Sequence, residues 1–241
     1  AGGTNWKQVS SAGQLTAAIK TDGTLWTWGN GSFGSLGTND TISTNTPVTT
    51  FAGGNNWKQV SAGAQVAAIK TDGTLWVWGE GVYGKLGNAA ITDRLTPVTT
   101  FAGGTNWKQV SSGGYHTAAI KTDGTLWTWG QATFGLLGIN LGFPFYDVST
   151  STPVTTFAGG TNWKQVSCGG VHTTAIKTDG TLWVWGYGPY GSLGIGAVSG
   201  PYGGIPFIFT PVTTFAGGTN WKQVSAGFFS TAAVTYDDPV I

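Results

Sequence analysis

The feature that most constrains the fold of this chain is a set of near-identical sequence repeats. The segment Trp-Lys-Gln-Val-Ser occurs five times, at intervals of about 50 to 58 residues, beginning at Trp6, Trp57, Trp107, Trp163 and Trp221. The segment Lys-Thr-Asp-Gly-Thr-Leu-Trp occurs four times, beginning at Lys20, Lys70, Lys121 and Lys177. A fixed period of this length is typical of repeat architectures, in which each unit buries its apolar surface against its neighbours.

Each full repeat is predicted to form four short strands, named a to d. In the second repeat they are expected at residues 57–61, 66–70, 74–78 and 97–101. The Asp72–Gly73 pair predicts a two-residue hairpin turn between strands b and c, because glycine adopts positive φ at little cost. Strand d begins with a proline, which lacks an N–H and fits best at a strand start or on a sheet edge.

Four antiparallel strands in about 50 residues match one blade of a β-propeller. We therefore predict an all-β fold, a single propeller domain over residues 1–241 with four complete four-stranded blades and a two-stranded partial fifth. Strand c carries tryptophans two residues apart, such as Trp76 and Trp78, which project from one face and are expected to wedge between blades. The predicted repeats lie at about 1–51, 52–101, 102–157 and 158–215, with the partial repeat at 216–241.

The repeat resembles a known family. Its pattern is Val-Ser-x-Gly-Gly-x-His-Thr-x-Ala-Ile-Lys-Thr-Asp-Gly-Thr-Leu-Trp-x-Trp-Gly, followed by Phe/Tyr-Gly-x-Leu-Gly, and is clearest at residues 110–138 and 166–194. This pattern is similar to the regulator of chromosome condensation repeat. The resemblance implies a propeller, typically closed with seven blades, that acts as a nucleotide-exchange factor, an enzyme inhibitor or an interaction scaffold.

The number of repeats departs from that family. The fifth copy holds only strands a and b, from Trp221 to about Thr235, and the expected Asp-Gly-Thr-Leu-Trp is replaced by residues 237–241. The arc is therefore expected to be open, to close as a thin five-bladed ring, or to be completed by other chains. Because an uncovered strand edge invites pairing, we expect the edge of the fifth copy to be covered by another chain or by a further segment. The alternative is that residues 238–241 fold along it.

Composition limits the kinds of partner. Only 9% of residues are charged, with 11 basic and 10 acidic residues and no basic run, so we expect no nucleic-acid binding. No apolar run is long enough to span a bilayer, so we expect no membrane insertion. The scarcity of charge favours an extracellular location, or one on a virion or cell surface.

The residues with catalytic or metal-binding chemistry form no evident set. Asp72 and its copies are assigned to turns rather than to calcium. His116 and His172 lack a carboxylate or nucleophile partner in their motif, and each is expected to hydrogen-bond a neighbouring turn. Cys168 is expected to be a small buried filler, and the 13 tryptophans to form core rather than a sugar-binding surface. We expect no catalytic residue, no cofactor and no metal.

Variation between copies is concentrated in the loops between strands c and d. They cover residues 38–45, 88–95, 139–151 and 195–209, and they differ in length while the strands are nearly identical. Divergent loops on a rigid scaffold are typical of binding surfaces, and exposed apolar clusters indicate a partner. The alternative is that these loops bury themselves against the rim. The predicted partner-binding residues are Phe143, Pro144, Phe145, Tyr146, Pro201, Tyr202, Phe207, Ile208 and Phe209.

The sequence thus favours a non-catalytic propeller scaffold that mediates protein interaction or assembly, as a surface or virion component. It would work through the variable loops or the open edge of the fifth copy. A soluble adaptor or inhibitor that binds one partner through the same loops is the first alternative. A guanine-nucleotide exchange factor, suggested by the resemblance alone, and a carbohydrate-binding module are the others.

Overall fold

The computed structural model describes residues 3–140, 148–196 and 207–236, which form strands joined by turns, loops and short 3-10 segments. Each of the first four repeats forms one antiparallel sheet, which we call blades 1 to 4, and the fifth forms a two-stranded sheet, half-blade 5. The strands are β1 Trp6–Ala12, β2 Leu15–Lys20, β3 Leu25–Gly29 and β4 Thr44–Thr49; β5 Trp57–Ala62, β6 Gln65–Lys70, β7 Leu75–Gly79 and β8 Arg94–Thr99; β9 Trp107–Ser112, β10 His116–Lys121, β11 Leu126–Gln131 and β12 Ser149–Thr155; β13 Trp163–Cys168, β14 His172–Lys177, β15 Leu182–Tyr187 and β16 Phe207–Thr213; β17 Trp221–Ala226 and β18 Thr231–Thr235.

The predicted all-β fold, with four complete blades and a partial fifth, is confirmed. The strand order within each full blade is a-b-c-d, and neighbouring blades contact each other through strands a and b of one and strand a of the next. Strand a therefore lies innermost in the arc and strand d outermost. The half-blade holds strands a and b at the predicted residues.

The turn between strands b and c is one residue longer than predicted. Lys70 donates its N–H to the carbonyl of Thr74 and accepts from the N–H of Gly73, both at 3.0 Å, so three residues lie between the paired positions. Gly73 has φ +81°, the left-handed conformation that closes a three-residue hairpin. Asp72 then caps the turn, because its carboxylate accepts from both the N–H and the hydroxyl of Thr74.

Strand d also differs from its prediction. It begins at Arg94 and ends at Thr99, so Pro97 lies inside the strand rather than at its start. The pairing with strand c is irregular between Val77 and Gly79, and strand d is the outer edge of the sheet. Proline is tolerated at an irregularity in strand pairing and on an edge strand, because a backbone N–H is not needed for pairing at either position.

Tryptophans fill the space between blades, as predicted. Trp57 is 1% exposed and packs edge-on against Trp76 and Trp78, with ring centroids 6.2 and 6.3 Å away. The ammonium of Lys70 lies over the rings of Trp57 and Trp76 at 4.8 and 4.3 Å, which adds cation–π attraction. The same cluster, with one lysine between two indoles, recurs in the other complete blades. None of the 13 tryptophans is exposed, which argues against a carbohydrate surface built from indole rings.

Candidate functional site

One aromatic residue in each complete blade has a strained backbone. Each lies in the turn that follows strand c and has φ close to +60°, a conformation that costs a non-glycine residue roughly 1–2 kcal/mol. Strain of this kind persists where the surrounding structure enforces it, and it often marks functional loops. The four residues are Phe33, Tyr83, Phe134 and Tyr190.

Three of these side chains, Tyr83, Phe134 and Tyr190, meet further aromatic rings at the same end of the arc. Tyr83 contacts Tyr115 in the a–b turn of blade 3, with ring centroids 6.4 Å apart. Tyr190 contacts Phe229 in the a–b turn of half-blade 5, at 6.0 Å. Strands a and c run in the same direction, so the a–b turns and the c–d loops emerge together. We call this surface the aromatic end; it comprises Phe33, Tyr83, Tyr115, Phe134, Tyr187, Tyr190, Phe228 and Phe229.

Much of the aromatic end is accessible. Tyr190 is 92% exposed, Phe228 53% and Phe33 52%. Large exposed apolar side chains that are scattered singly need no explanation, but a contiguous group indicates a binding surface.

The predicted partner-binding residues divide into two groups. Phe143, Pro144, Phe145, Tyr146, Pro201 and Tyr202 lie outside the described residues. Phe207, Ile208 and Phe209 lie in β16 and are half-buried, rather than forming part of a free loop. Phe207 stacks on Phe134 and on Tyr187, with centroids 5.2 and 5.1 Å away, and so extends the aromatic end onto strand d of blade 4. That these residues contact a partner stays a prediction.

A cavity of about 580 Å³ opens between the inner strands at the aromatic end. Phe33 and Phe228 lie on its rim, and Glu80 is its one charged lining residue. Lys85 is buried beside Glu80 and forms an ion pair with it. Most of the other lining residues are small, and they include the a–b turn glycines Gly13, Gly63, Gly113, Gly169 and Gly227.

Beneath the cavity, polar side chains connect neighbouring blades. His116 contacts the hydroxyl of Thr173 through Nε2 at 2.6 Å, and that hydroxyl donates to the carbonyl of Leu136. His172 repeats this contact with Thr231 of half-blade 5 at 2.9 Å. The prediction that each histidine bonds a neighbouring turn is therefore wrong for the side chains, although the backbone carbonyls of His116 and His172 accept from Gly113 and Gly169 of the a–b turns. The partner is a strand residue of the next blade, because strand b packs directly on the next sheet.

This geometry fixes the histidine tautomer. Since the threonine hydroxyl gives its proton to a carbonyl, its oxygen accepts from Nε2–H of the imidazole. Nδ1 is then the unprotonated nitrogen, and in both His116 and His172 it is buried without a hydrogen-bond partner among the described residues. Burial lowers the pKa of His116 from 6.5 to about 3 and that of His172 to about 4. Both imidazoles are therefore buried and neutral at pH 7.

The remaining candidate residues have structural roles. Cys168 is buried, and burial raises its thiol pKa to about 12, so the reactive thiolate does not form at neutral pH. Hydrogen bonds from the side chain and backbone of Thr74 lower the pKa of Asp72, which keeps the turn cap charged. No group of three or more His, Cys, Asp or Glu residues that could hold a metal was found within ranges 3–140, 148–196 and 207–236.

A row of lysines lies at the end of the arc opposite the aromatic end. The second residue of every strand a is a lysine at the opposite end, where the Asp-Gly turns also lie. Of these lysines, Lys7, Lys58, Lys108 and Lys222 are exposed. In the part of the chain that the structure describes, no helix is long and apolar enough to cross a membrane. The aromatic end also carries charge, since the c–d segment of blade 2 holds the Glu80–Lys85 ion pair and the exposed Asp93 and Arg94.

The sequence did contain a signal for the aromatic end. A Phe or Tyr directly precedes glycine after every strand c, as in Phe33-Gly34 and Tyr83-Gly84. In the sequence alone this pair is indistinguishable from the rest of the repeat pattern. The contact of Tyr83 and Tyr190 with the a–b turns of the next blade depends on how neighbouring blades are placed, which the pattern does not specify.

Comparison with known proteins agrees with this fold. The regulator of chromosome condensation (RCC1) repeat matches residues 22–69, 72–120 and 123–176, and a second form of the repeat matches residues 107–135 and 163–192. The ultraviolet-B receptor UVR8 of Arabidopsis thaliana is 33% identical over 194 residues, which cover 79% of this chain and 43% of UVR8. The mitochondrial RCC1 domain-containing protein RUG3 of the same plant is 32% identical over 130 residues, 53% of this chain and 28% of RUG3.

Solved structures show the same architecture. Human WBSCR16 superimposes with a TM-score of 0.80 at 24% identity, over 96% of this chain and 58% of that one. Prp20p of Saccharomyces cerevisiae superimposes with a TM-score of 0.78 at 18% identity, over 97% of this chain and 57% of Prp20p. Prp20p was described with its binding properties to Gsp1p and histones, and in another structure with Kap60 bound. The chain spans less than half the length of the two curated relatives.

Proposed function

The chain belongs to the regulator of chromosome condensation (RCC1) repeat family, and from this premise we propose that it is a non-catalytic scaffold that binds a protein partner at its aromatic end. The observation that carries the proposal is the row of aromatic residues held at positive φ in blades 1 to 4. Each of these four blades has an aromatic residue at a position where glycine or asparagine would adopt the same backbone conformation with less strain. The rings therefore serve a purpose beyond closing the loop.

The chemistry of the partner follows from the surface. Aromatic rings with two side-chain torsions provide large contact areas at low entropic cost, and they are enriched in the centres of protein interfaces. Among the described residues that line the cavity, the one charged side chain, Glu80, is paired with Lys85, so the cavity suits an apolar protein segment rather than a polyanion. Prp20p binds other proteins, which supports a protein partner for a related propeller.

The proposal that the chain is not an enzyme rests on its reactive groups. His116 and His172 are enclosed and neutral, and the Cys168 thiol is protonated at pH 7. General acid–base catalysis needs a group that reaches the substrate with a pKa near the working pH. We extend the proposal to a location outside the cell or on a virion surface, which the scarcity of charged residues supports. The mass of the native particle tests this part: a large, repetitive complex supports it, and a defined heterodimer favours the adaptor.

We expect replacement of Phe33 and Tyr190 by asparagine (F33N, Y190N) to weaken partner binding by about 30-fold or more, because truncating an aromatic anchor in an interface costs about 2 kcal/mol or more. Asparagine tolerates left-handed backbone, so both loops should keep their conformation. Wild-type and double-variant chains serve as baits in an extract of the native source, and bound proteins are quantified by mass spectrometry. The affinity of each recovered protein is then measured by calorimetry.

The matched control replaces Phe101 and Phe157, which follow strand d and are 69% and 65% exposed. F101N and F157N remove two rings of similar exposure outside the aromatic end and should leave binding within about twofold of wild type, as expected of surface changes. A partner retained equally by the F33N/Y190N double variant and by wild type would refute the aromatic end as the binding surface.

A further inference from the structure

The residue that begins strand b differs between the interfaces that join neighbouring blades. In blade 2 it is Gln65, whose Nε2 donates to the hydroxyl of Thr117 in blade 3 at 2.6 Å. In blade 3 it is His116, whose Nε2 contacts the hydroxyl of Thr173 in blade 4, also at 2.6 Å. The interface between blades 2 and 3 therefore has a neutral amide where the interface between blades 3 and 4 has a titratable imidazole. Blades 1 and 4 begin strand b with Leu15 and His172.

The hydrogen bonds around this position recur at both interfaces. In each, a glutamine and a serine of strand a bond the backbone of strand a in the next blade. The pairs are Gln59–Val110 and Ser61–Ser112 between blades 2 and 3, and Gln109–Val166 and Ser111–Cys168 between blades 3 and 4. The contacted threonine donates in turn to a loop carbonyl, which is that of Lys85 for Thr117 and that of Leu136 for Thr173. We therefore expect the two interfaces to differ in their response to pH through residues 65 and 116.

The closed interface has no place for a second proton on His116. Nε2–H already donates to Thr173, so the added proton would go to Nδ1, which is buried without a hydrogen-bond partner among the described residues. The residue is 0% exposed, and a Cβ on Gly113 of the a–b turn would lie 3.1 Å from its Cε1, so the turn lies directly against the ring. A buried charge with an unsatisfied N–H is costly. Protonation therefore favours separated blades, in which both ring nitrogens reach solvent.

The charged groups around His116 do not offset this cost. Burial, followed by repulsion from His172, lowers its pKa, and no described carboxylate raises it. The nearby thiol of Cys168 is neutral, since burial raises its pKa to about 12. The Glu80–Lys85 pair of blade 2 reaches only the carbonyl of Gly114 in the a–b turn, at 3.4 Å from Lys85 Nζ. The remaining charged residues of the strands packed against β10, and of β10 itself, lie at the opposite end of the arc: Lys70 on β6, Lys108 on β9, Lys121 on β10, Lys164 on β13 and Lys177 on β14.

The single cysteine of the chain lies at this same interface. Cys168 is 6% exposed, and its N–H donates to the hydroxyl of Ser111 in blade 3 at 2.9 Å. Its thiol has hydrogen bonds with the side chain of Ser111, the backbone of Ala118 in blade 3 and the side chain of Thr173. Thr173 is also the partner of His116. Separation of blades 3 and 4 therefore removes the groups that cover the thiol.

We propose that acid opens the interface between blades 3 and 4 by protonating His116, while the interface between blades 2 and 3 stays closed. Opening also divides the aromatic end, because Phe134 of blade 3 contacts Tyr187 and Phe207 of blade 4 across this interface, at 5.5 and 5.2 Å. Weaker partner binding in acid is the expected consequence. That consequence rests on the proposed function, whereas the opening itself does not.

The rate at which Cys168 reacts with dithiodipyridine, a disulfide reagent that modifies thiols in acid as well as at neutral pH, measures the opening. The 241-residue chain is labelled at pH 7.5 and at pH 5, and each rate is divided by that of glutathione at the same pH. The pKa of His116 is about 3 in the closed interface against 6.5 when free. The open population, and with it the labelling rate, should therefore rise about 30-fold. Free carboxylic acids, with pKa values of about 4, stay mainly ionised at pH 5.

Two variants provide matched controls. H116Q places the amide of blade 2 in blade 3, and labelling of Cys168 should then change less than about threefold, because the titrating group is gone. C168A/S112C moves the thiol to the interface between blades 2 and 3. Ser112 is also 6% exposed, and its hydroxyl has no hydrogen-bond partner among the described residues, so the exchange loses no described hydrogen bond. Labelling at position 112 should likewise change less than about threefold, because Gln65 does not titrate.

Three outcomes would overturn the proposal. Labelling of Cys168 that does not accelerate in acid would show that the interface stays closed. Acceleration in H116Q equal to that of wild type would assign the effect to another group. Equal acceleration at positions 112 and 168 would show that acid opens the whole chain rather than one interface. If H116Q does not fold, the comparison of these two positions still decides. No partner is present in the experiment, so its result is independent of whether the aromatic end binds one.

Discussion

Replacing Gly124 with alanine is expected to lower the free energy of unfolding by about 4 kcal/mol, well above the usual range for one methyl group. A Cβ at this position would lie 2.0 Å from the carbonyl oxygen of Thr161. That oxygen belongs to the backbone of the segment leading into the next blade, so it cannot rotate away. The carbonyl of Gly124 also accepts the N–H of Trp163 at 3.0 Å, which fixes the distance between the two blades.

Gly103→Ala provides the matched comparison. Gly103 has φ +54°, and a Cβ added there would have no atom of another residue within 4 Å, so alanine costs only the conformational penalty of about 1 kcal/mol. Gly124 has φ +81°, and the difference between the two variants isolates the contact between blades. Urea denaturation followed by tryptophan fluorescence measures both. Equal stabilities would show that the blades are not docked this closely.

Lowering the pH from 7.5 to 5 is expected to reduce the free energy of unfolding by about 4 kcal/mol, about 2 kcal/mol from each of His116 and His172. Their pKa values in the folded chain are about 3 and about 4, against 6.5 for a free side chain. Below pH 6.5 the unfolded chain takes up protons that the folded chain does not bind. Stability is therefore complete above pH 6.5 and falls as the pH decreases toward the folded values.

The chain itself provides the control residue for this pH effect. Blade 2 has Gln65 at the position of the histidines, and its amide donates to Thr117 at 2.6 Å, just as His116 donates to Thr173. The double variant H116Q/H172Q should keep the contacts between blades and lose most of the pH dependence between pH 5 and 7. Asp72 and its copies do not interfere, because their pKa values lie below 3.8. A double variant with the wild-type pH dependence would contradict assignment of the effect to these histidines.

Sequence reasoning predicted most of the fold because the repeat is nearly exact. Five copies of Trp-Lys-Gln-Val-Ser and four of Lys-Thr-Asp-Gly-Thr-Leu-Trp locate strand a and the start of strand c in every blade. The alternation of Trp76 and Trp78 correctly predicted their common face. The half-blade at 221–235 was predicted from the copy that lacks a strand c signal.

The remaining features depend on relations between blades. The pattern Asp72–Gly73 does not reveal that Lys70 pairs with Thr74, which makes the turn three residues long. The partner of His116 is 57 residues away, and only the docking of strand b against the next blade identifies it. The variable segment that contains Phe207 predicts a loop, yet this residue pairs with Tyr187 in the sheet. The aromatic end likewise emerges only when neighbouring blades are placed side by side.

The near-identity of the blade interfaces has a consequence for how the chain reaches its native state. Each newly formed blade presents the same interface residues as the other blades. Blade 1 can therefore form almost the same contacts with blade 3 as it forms with blade 2. Skipping one blade doubles the connecting loop, which adds only about 0.6 kcal/mol of closure entropy. The native order is more stable at equilibrium, because a blade that is left out loses its interfaces with both neighbours. The rates of native docking and of docking that skips a blade are nevertheless close. We therefore expect dilution from denaturant to yield misdocked, slowly rearranging species, a failure typical of repeat proteins. Synthesis from the N-terminus avoids this trap, since the blade that immediately precedes each new blade is the one whose strand b is still uncovered.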